Sequence, residues 1–134
     1  MMTVRSSTLL RRLLLVDAAI SGATGVMMLA AAGLLASLLE VPAPLIRYSG
    51  LLLLPFAAMV LYFAKAERLS RGRVWTVILM NASWVLGSVV LLVTGWIDPN
   101  VFGVAFVVVQ AIAVAGLAEF QYTALRAQSF IPNP

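Results

Sequence analysis

The polar chemistry of this chain rests on a few short spacings. Asp17, Ser21 and Thr24 stand at i, i+4 and i+7, which places them on one stripe of a helix. Asn81, Trp84 and Ser88 stand at i, i+3 and i+7, setting an indole donor beside a carboxamide. Gln110 sits in a run of valine and alanine, and Tyr62 lies near the end of another apolar run. All of these stretches are apolar enough to cross a membrane, where an aspartate at mid-depth costs about 2.5 to 3.5 kcal/mol on insertion scales. Polar groups in that setting either bind helices together or build a site. As a site, Asp17 would take a proton or a cation, while Ser21, Asn81 and Gln110 would offer hydrogen bonds to the polar head of an otherwise apolar ligand. As packing groups, an Asn and a Gln clamp two helices for about 1 kcal/mol, and Asp17 lies shallow enough to reach water or a nearby arginine.

The absence of other residue types narrows the chemistry. The chain has no cysteine and no histidine, which excludes disulfides, thiol catalysis, imidazole bases, zinc sites and histidine-ligated haem. No metal cluster, paired carboxylate or nucleophile with an adjacent base is apparent, and no cofactor is implied. Asp17 and Glu119 are the acidic residues at a depth suited to acid–base work on a lipid. Glu119 and Gln110 are nine residues apart, about 180° around a helix, so they cannot line one narrow pocket.

The elements that must position these residues follow from composition. Of 134 residues, 63% are hydrophobic and only 10% are charged, against about 25% charged in soluble domains. Mean hydropathy is +1.05. A membrane-spanning helix needs about 20 mostly apolar residues, and four such runs are present, at about 13–39, 45–64, 74–93 and 101–120. The expected fold is therefore all-α, a four-helix transmembrane bundle forming a single membrane domain over residues 1–134. The first run is roughly 40 Å long against a hydrocarbon core of about 30 Å, so it should tilt or leave a turn at the interface. Its arginines and small residues imitate a secretory signal. Its length and the interruption at Asp17 argue instead for a membrane span.

Glu40, Pro42 and Pro44 end the first run, since proline cannot continue a helix. Asp98 is placed to cap the fourth span, with Pro99 at its first position. Pro55 should bend the second span, where Tyr48, Pro55 and Tyr62 share a face. Within the first span, Ala18 and Gly22, and Ser21 and Gly25, have the small-xxx-small spacing that lets a neighbouring backbone approach closely. Counted from the cytoplasmic ends, Ser21, Asn81 and Gln110 fall roughly 10 to 15 Å deep. Tyr62 falls level with Asp17, close enough in depth for a phenol–carboxylate bond.

Charge sets an expected orientation. Of nine basic residues, three precede the first span, four lie in the middle loop and one follows the fourth span, leaving Arg47 alone on the opposite side. The positive-inside rule then puts both termini and the middle loop in the cytoplasm. Topology accounts for the net charge of +4, so no nucleic-acid surface is implied. Arg47, Arg68, Arg71 and Arg73 are candidates for anionic lipid headgroups. Trp75 and Tyr122 near one interface, and Tyr48 and Trp96 near the other, fit aromatic anchoring. Glu119, Tyr122 and Arg126 share a face at the cytoplasmic edge.

The segments LLRRLLLVDAAISGATG, RYSGLLLLPFAA, NASWVL and AEFQYTALR together resemble a group of small bacterial four-span integral membrane proteins. The resemblance covers nearly the whole chain and implies a bacterial inner-membrane location, but it brings no assigned chemistry and no functional residues. In layout the chain is also similar to the small multidrug resistance transporters, which have an acidic residue in the first of four helices. That family's glutamate lies well inside the helix, whereas Asp17 stands near its start. The strong charge bias also differs from the weakly biased, antiparallel arrangement among those transporters.

Three functions compete on these grounds. A non-catalytic accessory or scaffold component of a membrane assembly leads narrowly, on its small-residue faces, minimal loops and lack of reactive side chains. A binder or carrier of a lipid or small amphiphile follows, with a polar pocket in the cytoplasmic half built from Asp17, Ser21, Thr24, Tyr62, Asn81, Trp84 and Gln110. A membrane enzyme comes last. Expected partners are membrane lipids and either further copies of the chain or a larger membrane complex.

Overall fold

A computed structural model describes residues 2–4, 8–127 and 130–132, with side chains from 8 to 127; Arg5, one of the counted basic residues, lies outside them. The helices are α1 (Thr8–Ala30), α2 (Ala32–Leu39), α3 (Ala43–Lys65), α4 (Arg71–Thr94) and α5 (Val101–Arg126), with short strands β1 (Met2–Val4), β2 (Leu69–Ser70) and β3 (Phe130–Pro132). Four of the helices, α1, α3, α4 and α5, are long and apolar enough to cross a membrane.

The first expected span is two helices. Helicity begins at Thr8, and Ala31 breaks it with φ −115° and ψ 24°. Hydrogen bonds from Ala31 N to the Met27 carbonyl (2.9 Å) and from Leu35 N to the Ala31 carbonyl (2.8 Å) carry the chain across the break. The break therefore redirects the helix without unwinding it, and resolves the excess length by turning α2 toward α5. There the end of α2 meets the start of α5. Asn100 caps α5 by accepting from Gly103 N at 2.9 Å, donates its amide to the Leu38 carbonyl at 2.8 Å, and donates its backbone N–H to the Leu39 carbonyl at 3.1 Å. One residue thus satisfies donors of one helix and final carbonyls of another. The cap expected at Asp98 is two residues too early, with Pro99 preceding the helix. Gly103 is required here, because a Cβ would run into the Leu39 carbonyl oxygen and the Pro99 ring.

Other helices also outrun the apolar segments that announced them. Lys65, Arg71, Arg73 and Arg126 all fall in terminal helical turns. Hydropathy ends a span at its first charge, whereas backbone hydrogen bonding continues while the charged head reaches out of the apolar zone. Ser70 caps α4 by accepting from Arg73 N at 3.2 Å, and Gly95, at φ 71°, ends it in a left-handed turn. Arg11, counted in the sequence only as a charge, closes α3. Its guanidinium donates to the carbonyls of Ala64 (2.8 Å), Ala66 (2.6 Å) and Glu67 (3.1 Å), where a cation suits the negative end of the helix dipole.

Helix α1 packs most extensively against α3, and α4 against α5. In the first pair the facing residues are small and heptad-spaced, Ala18 and Gly25 on α1 and Gly50, Ala57 and Ala64 on α3, all buried. At the Gly25–Gly50 crossing, a Cβ on Gly50 would sit 2.9 Å from the Gly25 carbonyl oxygen, so backbone lies on backbone. A small three-stranded antiparallel sheet, in the order β2-β1-β3, gathers the N-terminal strand, the α3–α4 connection and the C-terminal strand at one end of the bundle. Strands of two or three residues carry no readable periodicity, and the sequence does not announce them.

Candidate functional site

Asp17 lies on α1 about 14 Å beyond the helix start and is 1% exposed. Both carboxylate oxygens act as acceptors. Ser21 donates to Oδ1 at 3.1 Å, one helical turn away. Asn81 of α4 and Gln121 of α5 donate to Oδ2, each at 2.7 Å. Asn81 also donates to the Gln121 side-chain oxygen at 3.3 Å, which closes a triangle across three helices. Among the described residues, these hydrogen-bond partners of Asp17 are all neutral. Helix α1 makes little backbone contact with α4, so the polar side chains themselves span that gap. Among the described residues, no buried side-chain nitrogen or oxygen lacks a partner. A network with every member satisfied supports a unique packing, whereas a partly satisfied one destabilises it.

A second polar group lies farther along the bundle. The Trp84 indole donates to the Gln110 side-chain oxygen at 2.7 Å, and the Gln110 amide donates to Ser88 Oγ at 3.0 Å and to the Val107 carbonyl at 2.9 Å. Ser88 in turn donates to the Trp84 carbonyl at 2.9 Å. This group borders a partly open cavity of about 130 Å³ between the two helix pairs. The remaining walls are mostly apolar, including Met28, Leu39, Ile46, Leu53 and Phe106, with Ser21, Thr24 and Ser49 as further polar members. Ser21 is shared: its side chain bonds Asp17, and it also faces the cavity. Ser88 and Val107 are shared with an apolar groove on the outer surface between α4 and α5, so the groove adjoins the cavity.

The single pocket expected from the sequence is thus two arrangements. Asp17, Ser21 and Asn81 meet as anticipated, but Gln110 is elsewhere, with Trp84. Its depth was counted from an expected helix end at Phe120, whereas α5 runs to Arg126 and leaves Gln110 about 24 Å from that end. Gln121 takes the place assigned to Gln110 and is fully buried. A signal for it was present, since eleven residues is three turns of helix and puts Gln110 and Gln121 on one face. Thr24 borders the cavity. Tyr62 does not approach Asp17: it is 67% exposed, and the Arg73 guanidinium lies 5.9 Å from its ring.

The basic candidates separate as well. Arg47, Arg68 and Arg71 are exposed, while Arg73 is half-buried over the Phe63 ring at 5.4 Å and reaches the Arg68 carbonyl at 3.4 Å. Arg47 forms no ion pair with Glu40 or Asp98. At the other interface, the Trp75 and Tyr122 rings meet edge to face at 5.6 Å, and Arg126 lies 5.7 Å from the Tyr122 ring. Glu119 is exposed on α5. Among the described residues, no cluster of acidic side chains is arranged to hold a metal ion.

No known protein family matches this sequence, and neither characterised proteins nor solved structures yield a significant similarity. What the geometry establishes is a multi-pass helical membrane protein with a satisfied carboxylate triangle beside a mainly apolar cavity.

Proposed function

We propose that this protein is a non-catalytic binder of a small amphiphile in the bilayer, with the cavity between the helix pairs as its site. The observation that carries this reading is the cavity itself, about 130 Å³, near the size of apolar cavities of about 150 Å³ that hold a benzene-sized molecule. The adjoining groove between α4 and α5 gives the ligand a route from the lipid phase. The Asp17 triangle serves as the rigid floor beneath it. One of the grounds for an accessory role, the small-residue faces of the first span, is taken up within the chain, where Gly25 meets Gly50 and Gly22 meets Ala57.

The proposed setting is a bacterial inner membrane with both termini in the cytoplasm. Charge supports that orientation: the three-stranded sheet and the Arg11 clamp lie at the end of the bundle where basic residues concentrate. A single cysteine replacing exposed Arg68 should resist a membrane-impermeant thiol reagent in intact cells and react in inverted vesicles; the opposite pattern refutes the orientation.

Native mass spectrometry from lipid nanodiscs tests the function. The expected result is the chain, alone or as a homo-oligomer, retaining a small non-protein mass that is lost when Val107→Phe fills the cavity wall. A stoichiometric foreign subunit with no retained small molecule would favour the accessory role instead.

A further inference from the structure

We infer that the cavity selects an uncharged head group bearing a hydroxyl or carbonyl, held by the side chains of Thr24 and Ser49; this rests on the amphiphile-binding reading above. Hydroxyls in membrane helices usually bond back to the carbonyl one turn earlier. Thr76, Ser83, Ser88, Thr94 and Thr123 all do so here, at 2.6 to 2.9 Å. Thr24 and Ser49 do not, and neither has any other hydrogen bond among the described residues. Both are half-buried and both face the cavity.

Their placement is fixed by the backbone crossing of α1 and α3. Thr24 precedes Gly25 and Ser49 precedes Gly50, and those two glycines touch backbone to backbone. The two hydroxyl-bearing residues therefore stand at one level on adjacent antiparallel helices. Across the cavity, Trp84 spends its donor on Gln110, and Gln110 spends its donors on Ser88 and Val107. The unused hydroxyl donors on the cavity wall therefore lie on the α1–α3 side.

Among the described residues, the cavity lining contains no charged one. The adjacent carboxylate is already engaged by Ser21, Asn81 and Gln121. An anionic head would enter a low-dielectric space beside the Asp17 carboxylate with no counter-charge. A cationic head would find that carboxylate outside the lining with both oxygens already engaged. Either charge would be desolvated without a direct partner, which is costly. A hydroxyl or carbonyl head meets two hydroxyls, each able to donate or accept.

The test uses the full chain in phosphatidylcholine nanodiscs, with Trp75 and Trp96 replaced by phenylalanine so that fluorescence reports Trp84. Four bromine-bearing quenchers of equal chain length are titrated: a bromoalkanol, a bromoalkane, a bromoalkanoate and a bromoalkyl trimethylammonium. The expected result is saturable quenching by the bromoalkanol, at an affinity at least tenfold above either charged probe. Thr24→Val with Ser49→Ala should weaken the bromoalkanol about tenfold, as expected for two neutral hydrogen bonds, and leave the bromoalkane unchanged. Unchanged bromoalkane quenching also shows that the doubly substituted cavity is intact.

Equal or tighter binding of a charged probe overturns the selection for an uncharged head while the amphiphile site survives. Saturable bromoalkanol binding that ignores the double substitution overturns the role of Thr24 and Ser49. Quenching that rises linearly for all four probes, as simple partition into the bilayer would give, overturns the binding site itself.

Discussion

The α1–α3 pair and the α4–α5 pair are built from similarly apolar helices, yet they pack differently. Along α1 and α3, glycine and alanine recur every seven residues, and the backbones touch at Gly25 and Gly50. Along α4 and α5, Val85, Val89, Val107 and Ile112 hold the helices apart enough to leave a groove. In α5 only 6% of the most apolar stretch is buried, against 33% in α1. In a bilayer, lipid is as apolar as leucine, so hydrophobicity does not decide which helices close up. Residue size at the crossing decides it. A tight pair beside a looser one leaves space between them; the Asp17 triangle bridges that space, and the Trp84–Gln110 bond ties α4 to α5 beside it.

The sharpest way to break this contrast is to give the tight pair a large side chain at its crossing. Gly50→Leu should cost about 3 kcal/mol or more, because the nearest opposing atom is the Gly25 carbonyl oxygen, which is backbone and cannot move aside; unfolding by detergent titration measures it. A loss below 1 kcal/mol would show that the crossing does not hold the pair together.

The next effect concerns the link between pairs. Asp17→Leu leaves the amides of Asn81 and Gln121 without their shared acceptor and should cost about 2 kcal/mol in the same assay. A neutral or stabilising result would assign the carboxylate a role other than stability, as happens with some buried charges replaced by apolar residues.

The smallest stability effect is expected on the looser side. Val107→Phe fills space that is already vacant and should change stability by less than about 1.5 kcal/mol, while removing the retained small molecule. Destabilisation as large as that of Gly50→Leu would mean that the groove is close-packed and not a portal.

Much of this arrangement can be read from residue order. The long apolar runs announce four membrane helices, and the 100° rule brings Asp17 and Ser21 to the face that meets Asn81. Two kinds of information are missing from periodicity. It identifies residues that share a face without saying where the face points, which is why Tyr62, grouped with Tyr48 and Pro55, turns outward with Tyr48. It also ends each helix at the last apolar residue, which is why Gln121 fell outside the expected fourth span. The helix that follows the break at Ala31 ends on a partner distant in sequence, where Asn100 donates to the Leu38 carbonyl 62 residues back. No local pattern contains it.

The hydrogen bond between Asp17 and Gln121 joins positions 104 residues apart, and this has a consequence in time. Synthesis delivers Asp17 long before either amide that will engage it. Asn81 follows 64 residues later and Gln121 104 residues later, so the nascent first helix carries its carboxylate with Ser21 as the local donor. The energetic compatibility of α1 with lipid is therefore a property it acquires only once α5 is in place.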